Sequence, residues 1–164
     1  MGRKHASPRL RPQIFMGFLP NAPLLGRHCE APMNDMNFPT QSKIQLGKIL
    51  LAEDDSDMRR FLGKALQNAG YSVASFDNGL SAYGRLREEP FELLLTDIVM
   101  PEMDGIELAR RATELDPDIK VMFITGFAAV ALNPDNNAPP QAKILSKPFH
   151  LKDLVNEVQR LLAA

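Results

Sequence analysis

From Lys48 onward, the chain alternates short apolar runs with stretches in which apolar residues recur every three or four positions. Five runs have the length of strands: KILLA (48–52), YSVASF (71–76), FELLLT (91–96), KVMFIT (120–125) and AKILS (142–146). Several of them are largely apolar, which is typical of parallel strands that are covered on both faces. The pattern therefore predicts five strands of a buried parallel sheet.

Stretches of helical periodicity separate these runs. A first helix is predicted over 57–69, ended by Gly70, and its apolar face consists of Phe61, Leu62, Ala65, Leu66 and Ala69. Further helices are predicted over 80–88 and 106–115, and a last one contains Leu151, Leu154, Val155, Val158, Leu161 and Leu162 at helical spacing. Strands that each lead into a helical or loop crossover predict an α/β fold with a doubly wound five-stranded parallel sheet.

Residues 1–47 differ in composition from the rest of the chain. They contain six Lys/Arg against two Asp/Glu, a net charge of +4, whereas residues 48–164 contain thirteen against eighteen, a net charge of −5. Six of the 13 prolines also fall in residues 1–47, where no apolar period is sustained. We therefore predict a basic, Pro-rich, disordered tail at 1–47, followed by one domain at 48–164.

Two other interpretations of the tail remain open. An apolar stretch, IFMGFLPNAPLLG, follows basic residues as in a signal peptide, although Pro20 and Pro23 interrupt it. Alternatively, Met33 or Met36 is the true start of translation. The single cysteine, Cys29, allows no intrachain disulfide, and no run approaches the about 18 apolar residues of a membrane span. This composition favours a cytoplasmic protein without membrane insertion.

Charged and polar residues stand where four of the predicted strands end. They are Glu53, Asp54 and Asp55 after the first strand, Asp97 after the third, Thr125 at the end of the fourth and Lys147 after the fifth. Ligands of doubly wound sheets bind beyond the carboxyl ends of the strands, so we expect these side chains to converge there. A carboxylate among other carboxylates at that edge needs a cation to compensate its charge.

The residue types at this edge indicate phosphoryl transfer. Oxygen ligands without a His or Cys cluster favour Mg²⁺. Mg²⁺ beside a carboxylate and a Lys suits phosphoryl transfer, in which an Asp can act as nucleophile and form an aspartyl phosphate. Taken singly, residues 53–55 could be a solvated loop, Asp97 a turn cap and Lys147 a surface charge, and Thr125 could be an ordinary strand-end residue. Their shared place at the strand ends favours the functional interpretation.

Four segments, ILLAEDD, LLLTDIVMPEMDG, FITG and LSKPF, resemble in this order the motifs of the receiver domain of two-component response regulators. The resemblance covers residues 48–164 and implies the flavodoxin-like receiver fold with strand order 2-1-3-4-5. It implies that Asp97 is the phosphoacceptor. It further implies that Glu53, Asp54 and Asp97 hold Mg²⁺ together with the backbone carbonyl of Val99.

The remaining site residues are also assigned by the resemblance. Thr125 would offer its hydroxyl, and Lys147 its ammonium group, to the phosphoryl oxygens. The peptide bond between Lys147 and Pro148 is expected to be cis. A histidine kinase or a histidine phosphotransfer protein is the expected phosphodonor. Such a protein is a phosphoacceptor that transfers a phosphoryl group to itself and loses it again, and is not otherwise an enzyme.

Two regions depart from the family's pattern. Ile144 stands where many receivers have an aromatic residue, so an aromatic readout of phosphorylation is in doubt. Pro134, Pro139 and Pro140 interrupt the segment 126–143, which normally contains the fourth helix. Proline lacks a backbone donor and clashes with the preceding turn, so a short or absent fourth helix is expected. That region is the family's usual output face.

Two further departures concern the lifetime of the phosphorylated state. Val99 and Phe127 are apolar and lie two residues after Asp97 and Thr125, where rapidly dephosphorylating receivers have polar groups that orient the attacking water. We therefore expect slow autodephosphorylation.

Three classes of function are compatible with these residues. LLTDIVMP, TGFAAVALNP and AKILSKPFHLKDLV are similar to single-domain receivers that control ClpXP proteolysis, which implies an adaptor that binds the ClpX unfoldase when unphosphorylated, in the cytoplasm or at the cell pole. A chemotaxis-type or phosphorelay receiver with another partner is the alternative. A hydrolase that uses an aspartyl phosphate is disfavoured, because such enzymes commonly have a second acid at the position of Val99. No output domain, and so no nucleic-acid partner, is expected after the last helix.

Overall fold

The computed structural model describes residues 46–164. The predicted tail, with its alternatives of a signal peptide or a later start of translation, lies outside the described residues except for Leu46 and Gly47. These two residues already join the domain, because Leu46 N donates to Gly70 O (3.1 Å) and Ser72 N donates to Gly47 O (2.9 Å). Within residues 46–164, no helix combines the length and the apolar character needed to cross a membrane.

Ten helices and strands alternate along the described chain. They are β1 (Lys48–Ala52), α1 (Ser56–Asn68), β2 (Ser72–Phe76), α2 (Gly79–Leu86), β3 (Leu93–Thr96), α3 (Gly105–Leu115), β4 (Lys120–Thr125), α4 (Ala128–Ala131), β5 (Lys143–Ser146) and α5 (Leu151–Ala163). A 3-10 turn over Pro134–Asn136 follows α4. The predicted elements are all present, and their ends differ from the predicted ones by two residues at most.

The five strands form one parallel sheet in the order β2-β1-β3-β4-β5. This confirms the doubly wound sheet and the strand order that the family resemblance implied. The order reverses at β1, and there Ala52 lies opposite Thr96 in the register of β1 and β3. Glu53 and Asp97 are the next residues on these strands, so the backbone brings both acids to the same level of the sheet edge.

The core has two halves, one on each face of the sheet. On β1, Ile49 and Leu51 face the helices α1 and α5, whereas Leu50 and Ala52 face α2 and α3. The same alternation continues on β3 and β4, and most of these side chains are fully buried. Burial on both faces explains why these strands read as continuous apolar runs in the sequence.

Helix α1 packs on the sheet by a narrower face than predicted. Leu62 and Leu66 are fully buried, but Phe61, which was expected on the same face, is 57% exposed. Gly63 is buried beside Leu51 on the same face, and a Cβ there would make only ordinary contact with the Leu51 side chain. The buried face of α1 is thus centred on Leu62, Gly63 and Leu66, and a count of apolar residues alone does not reveal that it includes the glycine and leaves out Phe61.

The fourth helix has only four residues, as the prolines predicted. After it, Pro134 begins the 3-10 turn, and the side chain of Asn133 caps that turn by accepting from Asp135 N at 3.1 Å. Leu132 is 70% exposed at the end of the helix. The crossover from β4 to β5 is therefore mostly irregular and leaves large apolar side chains in solvent.

Candidate functional site

The site lies at the carboxyl ends of β1, β3 and β5. Asp97 N donates to Ala52 O at 3.0 Å, and Lys147 N donates to Thr125 O at 2.9 Å, so the parallel pairing continues one step beyond the strands. These bonds bring together Glu53, Asp97 and Lys147, as the positions at the strand ends predicted.

Three acids form a cluster at this edge. Glu53, Asp54 and Asp97 each offer a carboxylate oxygen, and these oxygens lie within 4.8 Å of one another. The side chain of Glu53 is only 2% exposed and that of Asp97 12%, whereas Asp54 is exposed. Two of the three charges are therefore largely withdrawn from water.

Lys147 lies between the buried Glu53 and the partly buried Asp97. Its Nζ donates to Glu53 Oε2 at 3.0 Å and to Asp97 Oδ2 at 2.8 Å. The peptide bond between Lys147 and Pro148 is cis, as expected. The ammonium group of Lys147, after β5, thus joins Glu53 at the end of β1 to Asp97 at the end of β3. Without it, these two neighbouring acids would repel each other.

Burial and this ion pair shift two pKa values in the site. Burial raises the pKa of the Glu53 carboxyl above its usual range, and the hydrogen bond and charge of Lys147 offset this only in part. Burial opposes the charged form of Lys147, but its hydrogen bonds to Asp97 and Glu53 outweigh that effect and raise the pKa of Lys147. Lys147 is therefore a permanent cation at neutral pH.

The Asp97 carboxylate is held by the backbone as well as by Lys147. Its Oδ1 accepts from Ile98 N at 2.6 Å and from Val99 N at 3.3 Å, while Oδ2 faces the ammonium group. The hydroxyl of Thr96 donates to the Asp97 carbonyl at 2.8 Å, and a Cβ at Gly105 would collide with that same carbonyl. Each oxygen of this carboxylate thus has a defined environment.

The loop after β1 is organised by two residues of the following turn. Asp55 caps α1 by accepting from Asp57 N and Met58 N, both at 2.9 Å. These hydrogen bonds lower the pKa of Asp55, and the bond from Met58 N has the larger effect. Arg59 donates from Nη1 to the carbonyls of Glu53 (2.6 Å) and Asp54 (3.1 Å). The sequence analysis missed Arg59. Its position could have indicated this role, because Arg59 lies on the first turns of the helix that directly follows the acidic loop.

Thr125 is at the end of β4 but its hydroxyl faces another partner. The residue is fully buried, and its Oγ1 accepts from Phe127 N at 3.1 Å. Among the hydrogen bonds of residues 46–164, none joins this hydroxyl to Asp97 or Lys147. The role of Thr125 in phosphoryl binding stays a prediction.

Three residues that depart from the family's pattern differ in burial. Val99 and Phe127 are 56% and 59% exposed, so both apolar side chains stand in solvent near the strand ends. Ile144 is half-buried and packs against the core on the α2–α3 face of the sheet. The backbone carbonyl of Val99, expected as a metal ligand, belongs to the loop that also donates its amide to Asp97.

The donor set suits a small, hard divalent cation. It consists of carboxylate oxygens from Glu53, Asp54 and Asp97, and His and Cys take no part in the cluster. One ammonium group is shared by Glu53 and Asp97 in a cluster of three carboxylates, so negative charge remains next to a buried acid. Both the oxygen chemistry and the uncompensated charge fit Mg²⁺.

Comparison with known proteins gives a consistent result. The sequence model of the response regulator receiver domain matches residues 49–159. The chain is 78% identical, over 117 residues, to the response regulator receiver protein CpdR of Brucella abortus (strain 2308), an alignment that covers 71% of this chain and 98% of that relative.

Two solved structures are similar in fold. A response regulator receiver protein from Sinorhizobium medicae superimposes with a TM-score of 0.67 at 33% identity, over 72% of this chain and 95% of that chain. The response regulator protein TrrA from Thermotoga maritima, in complex with Mg²⁺-BeF, superimposes with a TM-score of 0.64 at 25% identity, over 70% of this chain and 98% of that chain.

Proposed function

Because the chain belongs to the response regulator receiver domain family, we propose that phosphorylation of Asp97 switches it and that the unphosphorylated form is an adaptor for ClpXP-dependent proteolysis. The observation that carries the proposal is the position of Asp97, which follows a buried strand, belongs to the acid cluster and accepts a hydrogen bond from the ammonium group of Lys147. Lys147 offsets part of the negative charge around this nucleophile, and a bound Mg²⁺ would neutralise the remainder.

The reaction at Asp97 is a phosphoryl transfer to one carboxylate oxygen. That oxygen forms a bond to phosphorus while the bond from phosphorus to the donor's leaving group breaks, and the electron pair of that bond departs with the leaving group. The donor is a phosphohistidine of a histidine kinase or phosphotransfer protein. The protein acts on its own carboxylate, so we assign it as a phosphoacceptor and not as an enzyme with multiple turnover.

Lys147 and the backbone of the β3–α3 loop prepare this step. The amides of Ile98 and Val99 orient Asp97 Oδ1, and Lys147 keeps Oδ2 in position and is placed to contact an incoming phosphoryl oxygen. Glu53, Asp54, Asp97 and the Val99 carbonyl are the ligands we assign to Mg²⁺. When bound, Mg²⁺ neutralises negative charge on the acids and the phosphoryl oxygens.

We propose that the switch acts through Thr125, whose hydroxyl oxygen accepts from Phe127 N in the present structure. A phosphoryl group adds negative charge and three acceptor oxygens at Asp97. If the Thr125 side chain rotates to donate to one of them, its Oγ1 moves away from Phe127 N, which then loses its acceptor, and the segment 126–137 with its exposed apolar residues is released. We propose that this movement lowers the affinity for the protease partner.

The partner is proposed from the similarity to CpdR, which this chain matches with high sequence identity over nearly the whole length of that relative. We propose ClpX, in the cytoplasm or at the cell pole, as the unfoldase that the unphosphorylated form binds. A chemotaxis-type or phosphorelay receiver would have the same site and a different partner.

The experiment that tests the function has two parts. The full chain is incubated with acetyl phosphate and Mg²⁺, and mass spectrometry locates the phosphoryl adduct, which we expect on Asp97 in the wild type and nowhere in Asp97→Asn. Immobilised ClpX is then offered the wild type before and after phosphorylation, and we expect the phosphorylated form to bind more weakly.

The two parts separate the general claim from the specific one. An adduct at another residue, or none, refutes phosphorylation of Asp97. An adduct on Asp97 without binding to ClpX in either state refutes the adaptor role and favours the chemotaxis-type or phosphorelay receiver, for which retention on a flagellar switch protein is the corresponding result.

A further inference from the structure

Arg59 contacts the backbone of the acidic loop and none of its carboxylates. Its Nη1 donates one hydrogen bond to the carbonyl of Glu53 at 2.6 Å and one to the carbonyl of Asp54 at 3.1 Å. Arg59 is itself fixed on the first turns of α1, where its amide donates to Asp55 O at 2.8 Å. The guanidinium group therefore ties two consecutive peptide groups of the loop to the helix that follows them.

These two peptide groups determine where the acids of the cluster point. The carbonyls of Glu53 and Asp54 flank the Cα of Asp54, so fixing both planes fixes the direction in which the exposed Asp54 side chain leaves the backbone. Glu53 N donates to Phe76 O at 3.0 Å, which holds the other end of the loop against β2. The hydrogen bond to β2 and the two hydrogen bonds from Arg59 thus together fix the position of Asp54 relative to the buried Glu53.

We propose that Arg59 is a positioning residue for the cation site, one that holds the Glu53–Asp54 segment in the arrangement that binds Mg²⁺. The inference rests on the proposed function, since it assigns these acids to Mg²⁺. Groups that orient metal ligands without touching the metal commonly change affinity by about 10-fold to 100-fold when they are removed. For Arg59, which acts through two carbonyls, we expect a loss of about 10-fold, or about 1.4 kcal/mol.

Positive charge near the site would by itself act in the opposite direction. A guanidinium beside three acids repels a divalent cation, so a purely electrostatic Arg59 would weaken Mg²⁺ binding and its removal would strengthen it. Lys at position 59 retains the charge but ends in a compact ammonium group one bond closer to the backbone, and it lacks the planar donor geometry of Arg. Arg59→Lys and Arg59→Gln therefore separate geometry from charge.

Arg60 supplies a matched control. It is the next residue on α1, and it pairs with Asp57 at 3.0 Å on the surface, where both side chains are at least 80% exposed. Arg60→Gln removes the same formal charge from the same turn of the helix without touching the carbonyls of the loop.

The experiment titrates Mg²⁺ alone into the full-length wild type, Arg59→Lys, Arg59→Gln and Arg60→Gln, with the Kd taken from the NMR shifts of backbone amides around Asp97. The rate of phosphorylation by acetyl phosphate is measured at low and at saturating Mg²⁺. We expect both Arg59 variants to bind Mg²⁺ about 10-fold more weakly, and their phosphorylation rate to approach that of the wild type at saturation. Arg60→Gln should retain the wild-type Kd.

The other outcomes overturn the inference. Tighter binding by Arg59→Gln with an unchanged Kd in Arg59→Lys would show that Arg59 acts by charge alone, and an unchanged Kd in both would show no role. A rate deficit in Arg59→Lys that persists at saturating Mg²⁺ would indicate general structural damage. Arg59→Lys decides the question if Arg59→Gln does not fold. Failure of the wild type to bind Mg²⁺ would instead refute the proposed function itself.

Discussion

Lys147 and Asp97 are 50 positions apart in the chain, yet Lys147 Nζ lies 2.8 Å from Asp97 Oδ2. The same ammonium group bonds Glu53, which is 94 positions away. One side chain on the loop after β5 therefore joins the ends of β1 and β3. The site therefore depends on the ends of three strands at once. We expect a substitution that breaks these bonds to lower both the stability of the fold and the reactivity of Asp97.

Removal of Lys147 should destabilise the fold more than removal of an exposed ion pair does. Lys147→Ala leaves Glu53 and Asp97 without their cation, and we expect the free energy of unfolding to fall by about 1–3 kcal/mol. Lys48→Ala is the matched control, because it breaks a surface pair with Glu89 (side chains 45% and 26% exposed) and should cost less than about 1 kcal/mol. Urea unfolding without Mg²⁺ measures both, and equal losses would contradict the prediction.

Gly105 and Gly84 should respond to alanine in opposite directions. A Cβ at Gly105 would collide with the Asp97 carbonyl, so Gly105→Ala should destabilise the fold by about 1–3 kcal/mol and slow phosphorylation by acetyl phosphate. Gly84 lies in α2 with open space around its Cα, so Gly84→Ala should stabilise by about 0.5–1 kcal/mol. Thermal unfolding and phosphorylation rates check both. The prediction is wrong if Gly105→Ala is neutral in both measurements.

The phosphorylated state should persist for minutes or longer. Val99 and Phe127 are apolar and more than half exposed near the site, and neither can orient a water for attack on the phosphoryl group. Decay of the labelled phosphoprotein with Mg²⁺ measures the lifetime, and a lifetime of seconds would count against this account. Val99→Asn and Phe127→Glu introduce polar groups at these positions, and they should shorten the lifetime; Leu132→Asn, at another exposed apolar position, should not.

Asp97→Ala should be constitutively active in proteolysis. The variant accepts no phosphoryl group, so it should remain in the form that we propose binds ClpX. Binding to immobilised ClpX, measured with and without acetyl phosphate, should equal that of the unphosphorylated wild type in both conditions. A folded Asp97→Ala protein that does not bind, although the wild type does, would reverse the sign of the proposed switch.

Glu107 should titrate far below an ordinary glutamate. Hydrogen bonds from Arg110 and Arg111 lower the pKa of Glu107 to about 2. Because the folded-state pKa is depressed below 4.5, the stabilisation from these pairs is present above the unfolded pKa and is lost as the pH falls from about 4.5 towards 2.

Carboxyl chemical shifts followed by NMR through this pH range measure the pKa of Glu107 directly. Arg110→Ala combined with Arg111→Ala should bring it back towards the ordinary value, and Arg160→Ala, which removes a surface Arg from α5, should leave it low. A pKa near 4.5 in the wild type would show that these ion pairs do not persist in solution.

The elements themselves could be predicted because their signals are local. β4 was predicted and found at 120–125, where an apolar run is bounded by Lys120 and Gly126. The end of β4 placed Thr125 at the site edge, but its bond to Phe127 N depends on the conformation of the loop after the strand. Pro134, Pro139 and Pro140 likewise predicted a short α4, because a proline disrupts the helical turn in which it stands.

The packing of α1 on the sheet determines which of its residues are buried, and the spacing of apolar residues did not predict this correctly. Phe61 has the right spacing for the buried face of α1, yet it is exposed while Gly63 is buried beside Leu51. The bonds from Arg59 to the carbonyls of residues 53 and 54 depend in the same way on how the loop turns into the helix.

The sequence by itself determined which residues end the strands, and hence that Glu53, Asp97 and Lys147 meet, because parallel strands of one sheet share the edge at which their carboxyl ends lie. Only the tertiary structure decided which atoms touch there: that Lys147 bridges the two acids, that Arg59 holds the loop and that Thr125 faces Phe127. Hydrogen bonds are sensitive to a few tenths of an ångström and to angle, and these quantities arise from the packing of helices on the sheet and not from the order of residues.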